Sequence, residues 1–277
     1  MSTLAVERLT TNVGAKVLDV DPTRLANDPD LADQVAEALE THSVLLFPEL
    51  NADDETLVEF CRKLGKLINF SHLPPETAEV MEISFDPSNP NAEYFASNCF
   101  WHIDGLLDEI APKTSMLTAR VTSAEGGETE FASTYAAYDA LSDEEKERFA
   151  DLRVVHTFEA IQRLTYPNPT PEQLTEWASR SVREHPLVWE HDSGRRSLVL
   201  GATASHIAGM DIEEGRALLA DLQARTTAPE QVCQHSWTNG DTVLWDNTGL
   251  VHRVRDFDRN KPRTMHRSTV AGQEKIK

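Results

Sequence analysis

The sequence predicts a mostly β protein with peripheral helices, built as an antiparallel double-sheet jelly roll, on three observations. Short β-rich runs recur along the chain, several alternating apolar and polar residues. A few segments with clear helix-start signals lie between them, too irregularly for a βαβα alternation. No Gly-x-Gly-x-x-Gly opens a helix after a strand, which disfavours a Rossmann domain. A jelly roll of this kind encloses a pocket between its sheets, where side chains from neighbouring strands converge.

The helices come first. Residues 30–41 (DLADQVAEALET) carry apolar positions near helical spacing. SDEEKERFADL opens with Ser142 and Glu145 at capping-box spacing. TPEQLTEWASRSV offers Thr170 as cap, Pro171 at the first helical position and Gln173 three residues after the cap. DIEEGRALLADLQA repeats the signal with Asp211 and Glu214. The strand candidates are 43–47, 115–121, 153–158, 197–201, 231–237, 241–247 and 263–272, with Gly and Asn in turns such as TNGD and EGGE. No internal repeat, low-complexity tract or long linker divides residues 1–277, so a single domain with helical and loop insertions around the pocket is expected.

Composition narrows the function classes. A chain of 277 residues, 40% hydrophobic, can bury a substantial core. No window nears ~18 uninterrupted apolar residues, and the first residues lack a basic stretch followed by an apolar one, so neither a membrane span nor a secretory signal is expected. The formal charge of −20 repels phosphate backbones and anionic lipid, which argues against nucleic-acid and membrane partners. Most of that acid is solvated surface. Cys61, Cys99 and Cys233 are few, odd in number and far apart. That disfavours a disulfide framework and makes a reducing cytoplasm the default. The absence of Cys-x-x-Cys argues against structural zinc and iron–sulfur clusters. Nothing in the composition decides whether the chain forms a homo-oligomer.

The chemistry begins at SNCFWHIDGLLDE. On a strand, His102 and Asp104 point to one face, an imidazole beside a carboxylate. That is two thirds of a metal site, or an ordinary polar pair. LWDNTGLVHRVRD supplies a third candidate, His252, which by itself reads equally as a surface-loop histidine. Two imidazoles and one carboxylate on one side of a metal leave the opposite positions open, which suits non-haem Fe(II) oxygen chemistry. In RTMHRSTVAG, Arg263 and Arg267 share a strand face with Met265, ~13 Å apart along the strand. Either they sit on an edge strand in water, or their planar donor forks clamp two separate anions.

Together these pieces resemble the Fe(II)/2-oxoglutarate-dependent dioxygenases of the taurine dioxygenase and 2,4-dichlorophenoxyacetate dioxygenase family. The resemblance runs from SVLLFPE through NCFWHID, GGETEFAS, LVLGATASHIAGMDIEEGRALLADL and NGDTVLWDNTGLVHR to Arg263 and Arg267. The order and spacing of these pieces are specific, whereas no single piece is. The resemblance implies the double-stranded β-helix, a cupin-like jelly roll. It implies Fe(II) on His102, Asp104 and His252, with O2 as oxidant. It implies 2-oxoglutarate held at its distal carboxylate by Thr129 and Arg263, with Asn98 and Trp245 in the same pocket. Arg267 then meets the acidic head group of the substrate, with His206 and His72 as further substrate candidates.

One departure concerns the substrate. Relatives near the phenoxyacetate enzyme often read HASH where this chain reads TASH, Thr203 to His206, so a histidine near the substrate is replaced by threonine. The Pro- and Asn-rich stretches 70–91 and 163–173 read as loops at the pocket mouth, one a candidate lid.

The expected function is oxidation of a small anionic organic substrate, such as an aryloxy or other carboxylate, with release of succinate and CO2. The outcome is hydroxylation, C–O or C–S cleavage, or desaturation. A sulfonate or sulfate-ester dioxygenase is the alternative within the family. A non-catalytic metal-binding sensor leaves the second arginine without a task. A zinc hydrolase on the same ligands leaves Thr129 and Arg263 without one.

Overall fold

The structure of the chain, a computed structural model, describes residues 4–70, 78–86, 89, 94–123 and 125–277, with only the backbone at Tyr94. Among them the largest sheet has seven strands. In spatial order these are Val6–Arg8, Ala15–Val17, Val44–Phe47, Thr242–Asp246, Thr114–Val121, Thr264–Val270 and Met81–Ser84. Neighbours are antiparallel except Ala15–Val17 beside Val44–Phe47, which run parallel. A three-stranded antiparallel sheet, Val232–His235, Thr129–Ser133 and Leu250–Val254, lies across from it. A second three-stranded sheet joins Ala204–Ile207, Arg153–Thr157 and Val182–Pro186, and Val188–Glu190 pairs with Arg196–Leu198.

The period of two along each strand builds two cores. Val243 and Trp245, with Leu117, Ala119 and Met265, face inward and pack on Phe131, Leu250 and Cys233 of the smaller sheet. Leu244 and Met116, one residue out of phase, face the other way. They pack with Leu45 and Phe47 against Leu31, Val35 and Leu39 of helix Leu31–His42 and Leu57, Phe60 and Cys61 of helix Asp54–Leu64. The large sheet is thus covered by helices on one face and by the small sheet on the other.

The expected strands are present, most of them trimmed for local reasons, while the one expected at 115–121 runs a residue longer, Thr114–Val121. Ser43 takes a left-handed conformation (φ 59°) that ends helix Leu31–His42, so the strand starts at Val44. Thr157 accepts from the Ala160 amide and opens helix Phe158–Thr165, which removes Phe158 from its strand. Both Ser142–Glu145 and Thr170–Gln173 form reciprocal capping boxes. Asp211 caps its helix through the Glu213 and Glu214 amides. The stretch 163–173 is a correction: helices Phe158–Thr165 and Pro171–Ala178 take up both its ends, leaving 166–170 as connection. Half of the 70–91 stretch, His72 included, lies outside the described residues. No helix among the described residues is long and apolar enough to cross a membrane.

One polar clasp ties the outer helix to the large sheet. Asp54, in the first turn of its helix, accepts from His266 Nδ1 at 2.8 Å and pairs with Arg120. The His266 hydrogen bond, helped by Arg120 against the effect of burial, holds the Asp54 carboxyl down to about 2. A depressed carboxylate stabilises the fold above its ordinary value, and that contribution fades as pH falls toward the folded value. The side chain is 41% exposed, so screening cuts the contribution to about 1 kcal/mol. Asp54→Asn should therefore lower the melting temperature by about 2–4 °C near pH 7. The gap to wild type should close as pH drops below 4 in parallel thermal melts. A gap independent of pH would mean that the clasp adds no charge-dependent stability.

Candidate metal centre and substrate cavity

His252 sits mid-strand in Leu250–Val254, opposite Phe131 in register. Leu250 is in the inter-sheet core, so His252, two residues on, shares its inward face. Its ring lies 5.0 Å from that of Trp245 and 6.2 Å from that of Phe131. Its Nδ1 is buried without a hydrogen-bond partner, so packing orients it.

His102 reaches this point by a different route from the expected strand. It forms a single antiparallel bridge with His252, exchanging both backbone hydrogen bonds at 3.0 and 2.9 Å. The chain then turns, so Asp104 lies in a turn ahead of Gly105 (φ 74°). The backbone of Gly201 packs so closely that a Cβ there would come within 3.0 Å of the His102 Cα. The bridge sets the two imidazole centroids 4.2 Å apart.

The result is a compact set of three. One ligand atom from each of His102, Asp104 and His252 lies within 4.8 Å of the others. Asp104 Oδ1 is 3.7 Å from His102 Nε2, and Oδ2 is 3.9 Å from His252 Nε2. These spans are too long for hydrogen bonds and suit ligands around a common ion. His102 Nδ1 donates to the Phe100 carbonyl at 2.7 Å, which leaves its Nε2 lone pair facing Asp104. Burial, reinforced by His102, pushes His252 down to about 3, so it is neutral. Burial raises the Asp104 carboxyl, but Arg267, His252 and His102 outweigh that and hold it below its ordinary value. Two imidazoles and one carboxylate form a donor set that fits a divalent ion.

A cavity of about 530 Å³ opens on His102 and Asp104. Asn98, Thr203 and Arg267 supply polar groups, and Met81, Phe95, Phe158 and Ile161 supply apolar wall. Arg267 follows Met265 by two residues on its strand and so shares its inward face. Its Nη1 donates to Asp104 Oδ2 at 3.2 Å, while its Nε is buried without a partner. The sequence leaves this arginine waiting for an added anion; in the fold the Asp104 carboxylate already answers part of its charge.

Arg263 and Thr129 do not line this cavity. Thr129 begins its strand two residues before the inward-facing Phe131, and its Oγ1 accepts from Trp237 Nε1 at 2.9 Å. Arg263 is 6% exposed. Its Nη2 donates to the Gly127 carbonyl at 3.1 Å and its guanidinium lies 5.1 Å from the Phe257 ring. No carboxylate among the described residues pairs with it. Gly127 (φ 76°) has no Cβ for good reason, since one would sit 3.0 Å from Arg263 Nε. Burial pushes the Arg263 guanidinium down to about 10, so it stays a cation near neutral pH. A buried cation without a carboxylate is costly unless an anion arrives.

The remaining expectations divide. Asn98 lines the cavity from the short helix Tyr94–Cys99. Trp245 instead stands behind His252, 2% exposed, with Nε1 donating to Asn247 Oδ1 at 2.7 Å. His206, on Ala204–Ile207, lies against Ser205 Oγ at 3.1 Å and is not part of the cavity wall; Thr203 is. His72 lies outside the described residues. Sequence reasoning missed Trp237, because nothing local marks an indole just past a strand end as the partner of a threonine 108 positions upstream. It also missed Phe158 and Ile161, whose helix was not expected: Phe158 was read as the end of a strand and 163 onward as a loop.

The family model described as Taurine catabolism dioxygenase TauD, TfdA family matches residues 5–269. The chain belongs to the TauD/TfdA dioxygenase family. Like other members it is an enzyme. It is 33% identical over 255 residues to an alpha-ketoglutarate-dependent 2,4-dichlorophenoxyacetate dioxygenase of Burkholderia sp. (strain RASC), covering 86% of this chain and 85% of that one. It is 30% identical over 281 residues to an alpha-ketoglutarate-dependent sulfate ester dioxygenase of Pseudomonas putida, covering 98% and 90%. Among solved TauD/TfdA-like structures, AAD-2 in complex with Mn(II) and N-oxalylglycine superposes with a TM-score of 0.84 at 34% identity, covering 100% of both chains.

Proposed function

We propose that this TauD/TfdA dioxygenase oxidises a small anionic substrate, an aryloxy or other carboxylate, held in the cavity by Arg267 beside a His102–Asp104–His252 iron site. The observation that carries the reading is the cluster of His102, Asp104 and His252 beside a cavity that His102, Asp104 and Arg267 line. The reaction class follows from the family: the protein is an Fe(II)- and 2-oxoglutarate-dependent dioxygenase that uses O2. When bound, the iron couples oxidative decarboxylation of 2-oxoglutarate, giving succinate and CO2, to insertion of the second oxygen atom into a substrate C–H bond.

The chain's own residues bind, orient and exclude. His102 offers Nε2 because Phe100 takes the other ring proton. Arg263, buried, lacking a carboxylate and hydrogen-bonded to the Gly127 carbonyl, is suited to the distal carboxylate of 2-oxoglutarate, with the hydroxyl of Thr129, two residues on from Gly127, as its partner. Because Trp237 donates to Thr129 Oγ1, the threonine proton is free for that carboxylate. Asn98 adds a polar group on the cavity wall, and the aromatic and aliphatic wall keeps water from the reacting bond. Hydroxylation next to an ether oxygen would yield a product that collapses with C–O cleavage.

The two facing sheets support the double-stranded β-helix as the fold, with residues 1–277 as one domain. The three free cysteines support a cytoplasmic location. A sulfate ester or sulfonate substrate is the second reading, favoured by the Pseudomonas putida relative and by a guanidinium that fits either head group.

The deciding experiment loads the protein with Fe(II) and 2-oxoglutarate without oxygen. Aryloxyacids, other carboxylates, sulfonates and sulfate esters are then offered with O2, and succinate formed in response to each is measured. A sensor would make none. Arg267→Lys keeps the charge and loses the fork, so the substrate KM should rise roughly 10-fold or more. Substrate-independent 2-oxoglutarate turnover should persist. A neutral analogue consumed as fast as its acid would remove Arg267 from substrate recognition.

A further inference from the structure

Behind the cavity wall lies a histidine that the reaction does not use. His156, on Arg153–Thr157, is fully buried, and its Nδ1 is 2.9 Å from Thr203 Oγ1. Its Nε2 is buried and has no partner. The neighbouring His185 ring, centroid 5.4 Å away, does not serve it, since its Nε2 is engaged by the Leu106 carbonyl at 2.9 Å. Thr203 in turn lines the cavity that holds His102, Asp104 and Arg267.

A buried imidazole in such surroundings carries one proton, and burial with His185 nearby holds His156 down to about 3. The two tautomers differ in cost. A proton on Nε2 would be a buried donor with no acceptor. A proton on Nδ1 meets Thr203 Oγ1 and leaves only an unused lone pair, the lesser penalty, since buried acceptors go unpaired more readily than buried N–H groups. His156 therefore donates and Thr203 accepts. The Thr203 hydroxyl proton then has no acceptor among the described residues, and the open side of Thr203 is the cavity.

We propose that Thr203, committed as a hydrogen-bond donor by His156, is a specificity residue that selects substrates carrying an acceptor oxygen in addition to the acid group on Arg267. This rests on the function proposed above and narrows it. An ether, carbonyl or ester oxygen on the substrate satisfies the free hydroxyl proton; a methylene in its place strands it. His156 is a positioning residue, acting only through Thr203.

The test has two arms. Nitrogen-15 NMR of the metal-free wild type reads the His156 tautomer without any substrate, and the Nδ1–H form is expected. Turnover is then compared for a matched pair, an aryloxyacetate and the arylpropionate with CH2 in place of the ether oxygen. Wild type and Thr203→Ser should favour the ether in kcat/KM by roughly 3–10-fold, the range of one neutral hydrogen bond. Thr203→Val should lose that preference. The serine variant guards against a valine protein that misfolds. An Nε2–H tautomer overturns the proposal whatever the kinetics show, and so does an undiminished ether preference in a folded Thr203→Val. If wild type makes no succinate with any acid, the function reading falls and the substrate preference falls with it, while the tautomer still decides whether His156 commits Thr203 as a donor.

Discussion

Asp104→Asn should end substrate-dependent succinate formation while leaving the shape of the site almost unchanged. The carboxylate is the sole anionic member of the three-residue set. Loss of an outer partner of a metal ligand already costs roughly 10–100-fold in affinity, and loss of the charged ligand itself should exceed that. Mn(II) binding, followed by titration calorimetry, should weaken accordingly. A second consequence separates ligand loss from general damage. Asp104 is the carboxylate against Arg267, so the metal-free variant should lose roughly 1.5–3 kcal/mol of unfolding free energy, the range for a hydrogen bond to a charged group. Wild-type succinate yield from the variant would remove Asp104 from the metal site.

Arg263→Lys should raise the concentration of 2-oxoglutarate needed for half-maximal rate by roughly 10–100-fold, equivalent to about 1.4–2.8 kcal/mol. The buried guanidinium offers a planar pair of donors to a carboxylate; a lysine offers one point charge at the end of a flexible stem. Burial also works against the replacement. It already lowers the arginine to about 10, and it would push an ammonium toward its neutral form. Mn(II) affinity measured without 2-oxoglutarate should not move, because Arg263 touches none of the three ligand candidates. An unchanged 2-oxoglutarate requirement would mean that this cation serves another anion.

Residue by residue, the site was unevenly legible. His102 and Asp104 could be paired from their spacing alone, yet the stated reason, a strand that aims i and i+2 together, does not operate. Only His102 is bridged, and Asp104 arrives through a turn. The set of three forms because His252 lies on a strand of the smaller sheet and trades backbone hydrogen bonds with His102, 150 residues away along the chain. Thr129–Ser133 and Leu250–Val254, which form two thirds of that sheet, were missed as strands. The first is buried at every position, so the alternation that betrays a half-exposed strand is absent. Arg263 and Arg267 were expected to share a strand face, but Arg263 precedes the strand Thr264–Val270, whose pairing shifts register between Thr264 and Met265, and the two meet different groups: Asp104 for Arg267, the Gly127 carbonyl and the Phe257 ring for Arg263.

The sequence by itself determined the local features: the capping boxes at Ser142 and Thr170, the positions of several strands, the family and, through it, the class of reaction. These follow from periodicity and from side chains acting on their own backbone, both short-range. The tertiary structure decided what depends on distant segments meeting. It set His252 beside His102, gave Arg267 a carboxylate and left Arg263 without one. It moved Trp245 behind the site and His206 off the cavity wall, and it joined Thr203 to a buried histidine 47 positions before it. The physical reason is that the cost of a buried charge or donor is set by the group that faces it, and that group is chosen by packing across the whole chain.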